Sequence, residues 1–163
     1  MVRVYVGVGS NIDARRNVRE GILSLQERFG DLDISPVYES EPVGLTGDNF
    51  YNLVVGFESD ESCRQIAETL HEIEARFGRD RDQGYMQSRT LDLDLLLYGK
   101  LVIEDENLQL PRKDILEYAF VLKPLAQLAG DHLHPVLKRS YSDLWHSFDR
   151  SGQKLWQVDL ENE

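Results

Sequence analysis

The order in which two hydrophobic periods alternate is the strongest constraint on what this chain can fold into. Valine occupies every even position from 2 to 8, the period of two that marks a buried strand, and Gly9-Ser10 ends it. Val18, Ile22, Leu25 and Phe29 then recur at helical spacing, with Asn11 or Asp13 as candidate caps and Gly30 as the stop. A strand is expected near residues 32–40, a Pro- and Gly-containing loop over 41–49, and a return strand from Phe50 to Phe57. Ile66, Leu70, Ile73 and Phe77 define a second helix capped by Ser59 or Asp60, and Leu91–Tyr98 reads as a strand. After the Gly99-Lys100 turn, Leu101–Ile103 is expected to pair back on it. The resulting βαββαβ order implies a ferredoxin-like α+β sandwich. Further helices are expected over 115–129 and from Ser142 to Phe148, all within a single domain of residues 1–163.

Charge narrows the function. Eighteen Lys plus Arg stand against 29 Asp plus Glu, a net charge of −11, which repels phosphate backbones and argues against a nucleic-acid partner. The basic residues are nevertheless concentrated: Arg76, Arg79, Arg81 and Arg89 fall in or beside a polar loop over 78–88. Cys63 is the only cysteine, so a disulfide within the chain or a cysteine-rich zinc site is excluded, and the residue reads as a small core side chain. The longest apolar run, Leu95–Tyr98, is too short to cross a membrane, and a reducing cytoplasm is the expected location.

The segment Ser88-Arg89-Thr90-Leu91-Asp92-Leu93-Asp94-Leu95 is the most informative. Residues two apart on a strand share a face, so Asp92 and Asp94 point one way while Leu91, Leu93 and Leu95 face the core. Two adjacent carboxylates repel unless a cation stands near them. Their hard oxygens suit Mg²⁺, which takes one or two protein carboxylates and completes its shell with phosphates and water. An acidic solvent face gives the same pattern; the preceding Arg-rich loop favours a metal–phosphate site. Residue chemistry alone reaches as far as metal-assisted phosphoryl transfer.

The string Arg89-Thr-Leu-Asp-Leu-Asp-Leu-Leu-Leu-Tyr-Gly99 resembles the signature of 6-hydroxymethyl-7,8-dihydropterin pyrophosphokinases. Val8-Gly-Ser-Asn11, Tyr38 before a Pro42-x-Gly44 loop, Phe50-Tyr-Asn52, Glu74, Phe120–Leu125 and His134-Pro135 follow in the matching order. The resemblance covers roughly residues 2–148. It implies transfer of pyrophosphate from ATP, the co-substrate, to the pterin hydroxymethyl group with release of AMP. It also implies two Mg²⁺ ions on Asp92 and Asp94, and Arg89 and Arg79 as catalytic cations. Phe50 and Phe120 would stack on the pterin, Asn52 would bond its edge, and Ser40 and Val43 would complete its ring of contacts. His71, Glu74, Arg81 and Arg89 match ATP-facing positions.

The chain departs from that pattern at several positions. Met86-Gln87-Ser88 stand where the family has Trp-Gly-Pro, and Tyr85 and Tyr118 stand where it has basic residues. Arg112-Lys113 replace the residues expected after Leu110-Pro111 and are candidates to bind ATP in their place. The alternatives to an ordinary member are a paralogue acting on a related pterin and a non-catalytic pterin- or nucleotide-binding module. His132 and His134 read as local structure.

Overall fold

The computed structural model describes residues 1–42, 48–78 and 90–161. Its central sheet is built from β1 (Val2–Ser10), β2 (Asp33–Ile34), β3 (Val37–Ser40), β4 (Phe50–Ser59), β5 (Asp92–Tyr98) and a late strand. The helices α1 (Ala14–Phe29) and α2 (Cys63–Arg76) cross over between β1 and β2 and between β4 and β5. The sheet runs β5-β1-β4-β3, every neighbouring pair antiparallel, with β2 also on β4. Counting the four long positions in chain order, this is the 4-1-3-2 arrangement of the ferredoxin-like α+β fold.

Period-two alternation divides the sheet into two faces. Val4, Val6 and Val8, with Leu53, Val55, Phe57, Leu93 and Leu95, pack against Val18 and Leu25 of α1 and Ile66, Leu70 and Ile73 of α2. Cys63 is buried in this core, as its place in a helical segment implies. Tyr5, Val54 and Leu96 face the other way, against a second layer of short helices. That layer comprises α3 (Asp114–Glu117), α4 (Ala119–Ala129) and α5 (Tyr141–Ser147).

Several local expectations need correction. The strand near 32–40 is split at Ser35-Pro36, because proline cannot donate to a ladder. The cap of α2 is Ser62, not Ser59 or Asp60: its hydroxyl accepts from Gln65 N while the Gln65 side chain accepts from Ser62 N. Leu101–Ile103 does not return to β5. Instead β6 (Ile103–Glu104) pairs with β7 (Gln109–Leu110) in a separate ribbon. The 115–129 helix is interrupted at Tyr118, whose extended backbone separates α3 from α4. Finally, β8 (Leu155–Val158), which the sequence pattern does not announce, adds to the outer edge of β3. No described helix is long and apolar enough to cross a membrane.

Candidate active site

Gly7 and Gly9 decide where a cavity can form. β1 lies between β4 and β5, with Gly7 opposite Val54 and Asp94, and Gly9 opposite Asn52 and Asp92. A strand with side chains at 7 and 9 would fill that stretch of the second face; two glycines leave a trough. A Cβ at Gly9 would come within 2.6 Å of the Asn52 side-chain nitrogen, so the amide can lie over β1 only because residue 9 has no side chain. The trough opens into a cavity of about 250 Å³. Its walls include Asp92 and Asp94 from β5, Phe50 and Asn52 from β4, Ser40 from β3, and Asp114, Tyr118 and Phe120 from the α3–α4 corner.

Most of the residues anticipated for the metal and pterin therefore converge. Asp92 and Asp94 share the face opposite the Leu93 and Leu95 core, as alternation requires. Asn52 Oδ1 is buried and has no hydrogen-bond partner among the described residues, an arrangement that is costly unless a ligand supplies a donor. Phe50 and Phe120 remain half-exposed on the walls. Tyr118 stacks on Phe120 with ring centroids 5.0 Å apart and planes 20° apart.

The electrostatics centre on Asp94. Although 30% of its side-chain surface remains accessible, removal of water by the cavity wall pushes its carboxyl well above the usual carboxylate range. The neighbouring Asp92 carboxylate adds to the push, and the Arg112 guanidinium opposes it. Arg112 Nη2 lies 3.5 Å from Asp94 Oδ1, and Nε lies 3.3 Å from Asp114 Oδ2. The Nε contact is a charge pair without hydrogen-bond alignment. No group of three or more His, Cys, Asp or Glu side chains poised for a metal occurs among the described residues. The adjacent Asp92 and Asp94 carboxylates are hard oxygen donors of the kind that suit an ion taking one or two protein carboxylates and leaving the rest of its shell to phosphate and water.

The remaining anticipated residues either lie outside the described residues or are described away from the walls of this cavity. Val43 and the arginines Arg79, Arg81 and Arg89 lie outside the described residues, as does the Met86-Gln87-Ser88 departure. His71 is exposed on α2, whereas Glu74 on the same helix is buried, and its Oε2 accepts from Leu93 N at 2.8 Å. Glu74 thus anchors the outer edge of β5 between the two aspartates and is not on a solvated face. Lys113 is exposed at the start of α3 and does not line the cavity. Ser10 and Asn11 serve the scaffold: Ser10 Oγ donates to Thr90 O, and Asn11 Nδ2 donates to Asp48 O. His134 is local structure, its Nδ1 accepting from Val136 N and Leu137 N, both at 3.1 Å. Asp114 was not legible as a site residue, since only folding brings it to the cavity beside Asp94. The glycine pair offered a signal, two glycines at one strand face next to the Asp-x-Asp strand in the fold.

An antiparallel ferredoxin-like sheet whose glycine trough carries paired carboxylates and aromatic walls defines a class of small-molecule phosphotransfer-type sites. Residues 5–130 match the model of the family described as 7,8-dihydro-6-hydroxymethylpterin-pyrophosphokinase (HPPK). The chain belongs to that family. It is 36% identical to the 2-amino-4-hydroxy-6-hydroxymethyldihydropteridine pyrophosphokinase of Pseudomonas aeruginosa, covering 79% of this chain and 82% of that one. The Bacillus subtilis protein of the same name is 30% identical, over 94% of this chain and 89% of its own. Similarity to the folic acid synthesis protein fol1 of Pneumocystis carinii, 35% identical over 82% of this chain, spans only 18% of that longer protein. Among solved structures, an HPPK-DHPS in complex with substrates superposes with a TM-score of 0.72 at 12% identity. That match covers 92% of this chain and 44% of the other, and supports the fold.

Proposed function

We propose that this chain transfers pyrophosphate from ATP to the hydroxymethyl oxygen of 6-hydroxymethyl-7,8-dihydropterin, releasing AMP in a step of folate synthesis. It would act as one catalytic domain, in the cytoplasm, on small-molecule substrates. The observation that carries this reading is the meeting of the Asp92–Asp94 pair with Phe50, Asn52 and Phe120 around one cavity. The non-catalytic alternative is disfavoured, because a simple binder gains nothing from two mutually repelling carboxylates at the site.

In this reading the flat pterin lies between the Phe50 and Phe120 rings, and the unpartnered Asn52 Oδ1 accepts a hydrogen bond from its edge. Ser40 and Val43 would supply the remaining contacts to the edge. The hydroxymethyl group then points along the trough toward β5. Its oxygen bonds to the β-phosphorus of ATP, the bond from that phosphorus to the α–β bridging oxygen breaks, and AMP leaves with that oxygen; the hydroxyl proton passes to solvent.

Asp92 and Asp94 would hold two Mg²⁺ ions, which when bound neutralise the polyphosphate and align it for in-line attack. Glu74, by fixing Leu93 N, keeps the two aspartates on one face of β5. Arg112, beside Asp94, would turn toward phosphate, and Lys113, His71 and Arg81 would bind ATP with it. Arg89 and Arg79 would stabilise charge on the transferring group.

The test is incubation of the purified protein with ATP, Mg²⁺ and 6-hydroxymethyl-7,8-dihydropterin. AMP is expected to appear in step with pyrophosphorylated pterin. Formation of ADP, or nucleotide turnover indifferent to pterin, would count against the assignment.

A further inference from the structure

The corner between α3 and α4 carries both aromatic rings on that wall of the cavity, and its helices meet at Tyr118. Tyr118 is extended, with φ −122° and ψ 127°, and offers no side-chain cap to α4. The first N–H groups of a helix and the last C=O groups of the one before it lack intrahelical partners and need partners from elsewhere. Pro124, inside α4, has no N–H to donate to the Phe120 carbonyl four residues back. Phe120 is half-buried, packed against the second core and Tyr118. It lines the pterin cavity on one side and, on the other, a second cavity of about 270 Å³ shared with Ser40, Pro42, Gly152, Gln153 and Leu155.

The missing partners come from the far end of the chain. Gln153 Oε1 accepts from Ala119 N at 2.8 Å, and Gln153 Nε2 donates to Glu117 O at 3.1 Å. One side-chain amide thus bonds the first N–H of α4 and the last carbonyl of α3, on either side of Tyr118. Gln153 is itself held in a turn, its N–H donating to Arg150 O at 3.0 Å, with Gly152 at φ 75° making the bend. Two residues on, Leu155 begins β8 opposite Ser40. Beyond β8 the chain is tied to α1, where Arg15 donates to Asp159 O and Arg19 to Leu160 O. The segment from Gln153 to Leu155 therefore spans from the Phe120 wall to the Ser40 wall.

We infer that Gln153 is a positioning residue for the pterin site: its amide clamps the α3–α4 corner and so fixes where Phe120 and Tyr118 stand over the cavity. The inference rests on the reading of that cavity as the pterin site. Gln153 lies beyond residues 5–130, the part of the chain that matches the family model. The clamp belongs to the late strand and its turn.

The test is calorimetric titration of the full chain with 6-hydroxymethyl-7,8-dihydropterin and, separately, with ATP and Mg²⁺. Gln153→Ala is expected to weaken pterin binding roughly fivefold to thirtyfold, the loss of two hydrogen bonds, with ATP binding unchanged. Gln153→Glu keeps the acceptor for Ala119 N and loses the donor to Glu117 O, and should fall between Gln153→Ala and the unmodified protein. Arg19→Ala, which loosens the end of the strap without touching the corner, should lower the melting temperature and leave pterin affinity intact. Wild-type pterin affinity in Gln153→Ala, alongside a loss in Asn52→Ala, would overturn the clamp and leave the site reading standing. Pterin losses in Gln153→Ala and Arg19→Ala that merely track the fall in melting temperature would also overturn it. Indifference of pterin binding to Asn52→Ala would remove the site reading, and the inference with it.

Discussion

Arg112 places its guanidinium 3.5 Å from Asp94, so the carboxylate pair already has a protein cation beside it. That cation has a second carboxylate, Asp114, on its other side at 3.3 Å. The arrangement holds a concentration of negative charge together before any ligand arrives, at partly accessible positions where a charge pair contributes on the order of 1 kcal/mol. Arg112→Ala should therefore lower the stability of the metal-free protein by roughly that amount. It should also raise the KM for ATP and make it less sensitive to salt, because a cation at the phosphates is lost. An unchanged KM with an unchanged salt dependence would place Arg112 outside ATP recognition.

Asp94 makes an opposite prediction for stability. Its carboxyl is raised in the folded protein, above all by burial and then by Asp92. The folded state therefore holds the proton more tightly than the unfolded one. The stability from this group is complete below about pH 4 and is lost as pH rises through the raised folded value. In chelator at pH 7, Asp94→Asn should be more stable than wild type. Denaturant titrations at pH 4 and pH 7 would show the advantage shrinking at the lower pH. A destabilised variant at pH 7 would mean that Arg112 outweighs the burial of the charge.

Asn52 and Gly9 should behave as a unit. Asn52 has an unpartnered buried oxygen, so Asn52→Ala should cost the free protein little stability. Against pterin the same change should cost roughly tenfold to a hundredfold in affinity, with ATP affinity kept. Gly9→Ala should reproduce part of the pterin loss, since the new Cβ displaces the Asn52 amide. Equal losses for both ligands in calorimetry would move Asn52 out of the pterin pocket.

His134, which does not line the cavity, sets a separate pH dependence. Burial lowers its pKa, and its Nδ1 must stay unprotonated to accept from Val136 and Leu137. The unfolded chain binds the proton first, so stability is fully present above about pH 6.5 and falls as pH drops toward the lowered folded value. His134→Gln should flatten the melting-temperature profile in that window. A slope as steep as wild type would assign it to other groups.

What could be read from the sequence follows from locality. The periods of β1, α1, α2 and β5 lie within single segments, so the sheet, its two faces and the shared face of Asp92 and Asp94 were all legible. The Phe50–Asn52 pair was visible for the same reason. Relations spanning the chain were not. Asp114 becomes part of the site only when β5 meets the α3–α4 corner, and Tyr118 appears in sequence only as a lost basic residue. Gln153 sits in a polar turn before a four-residue strand too short to show a period. The cap of α2 went to Ser62 because Gln65 completes a reciprocal pair with it, which Ser59 and Asp60 lack.

The central claim is that the cavity with the Asp92–Asp94 pair performs pyrophosphoryl transfer to a pterin. Its most direct test is AMP formation with ATP, saturating Mg²⁺ and 6-hydroxymethyl-7,8-dihydropterin, measured for wild type, Asp92→Asn and Asp94→Asn. The account predicts one AMP per pterin consumed in wild type and a loss of roughly a hundredfold or more in each variant, with circular dichroism showing the fold retained. Near wild-type turnover in either folded variant would contradict it.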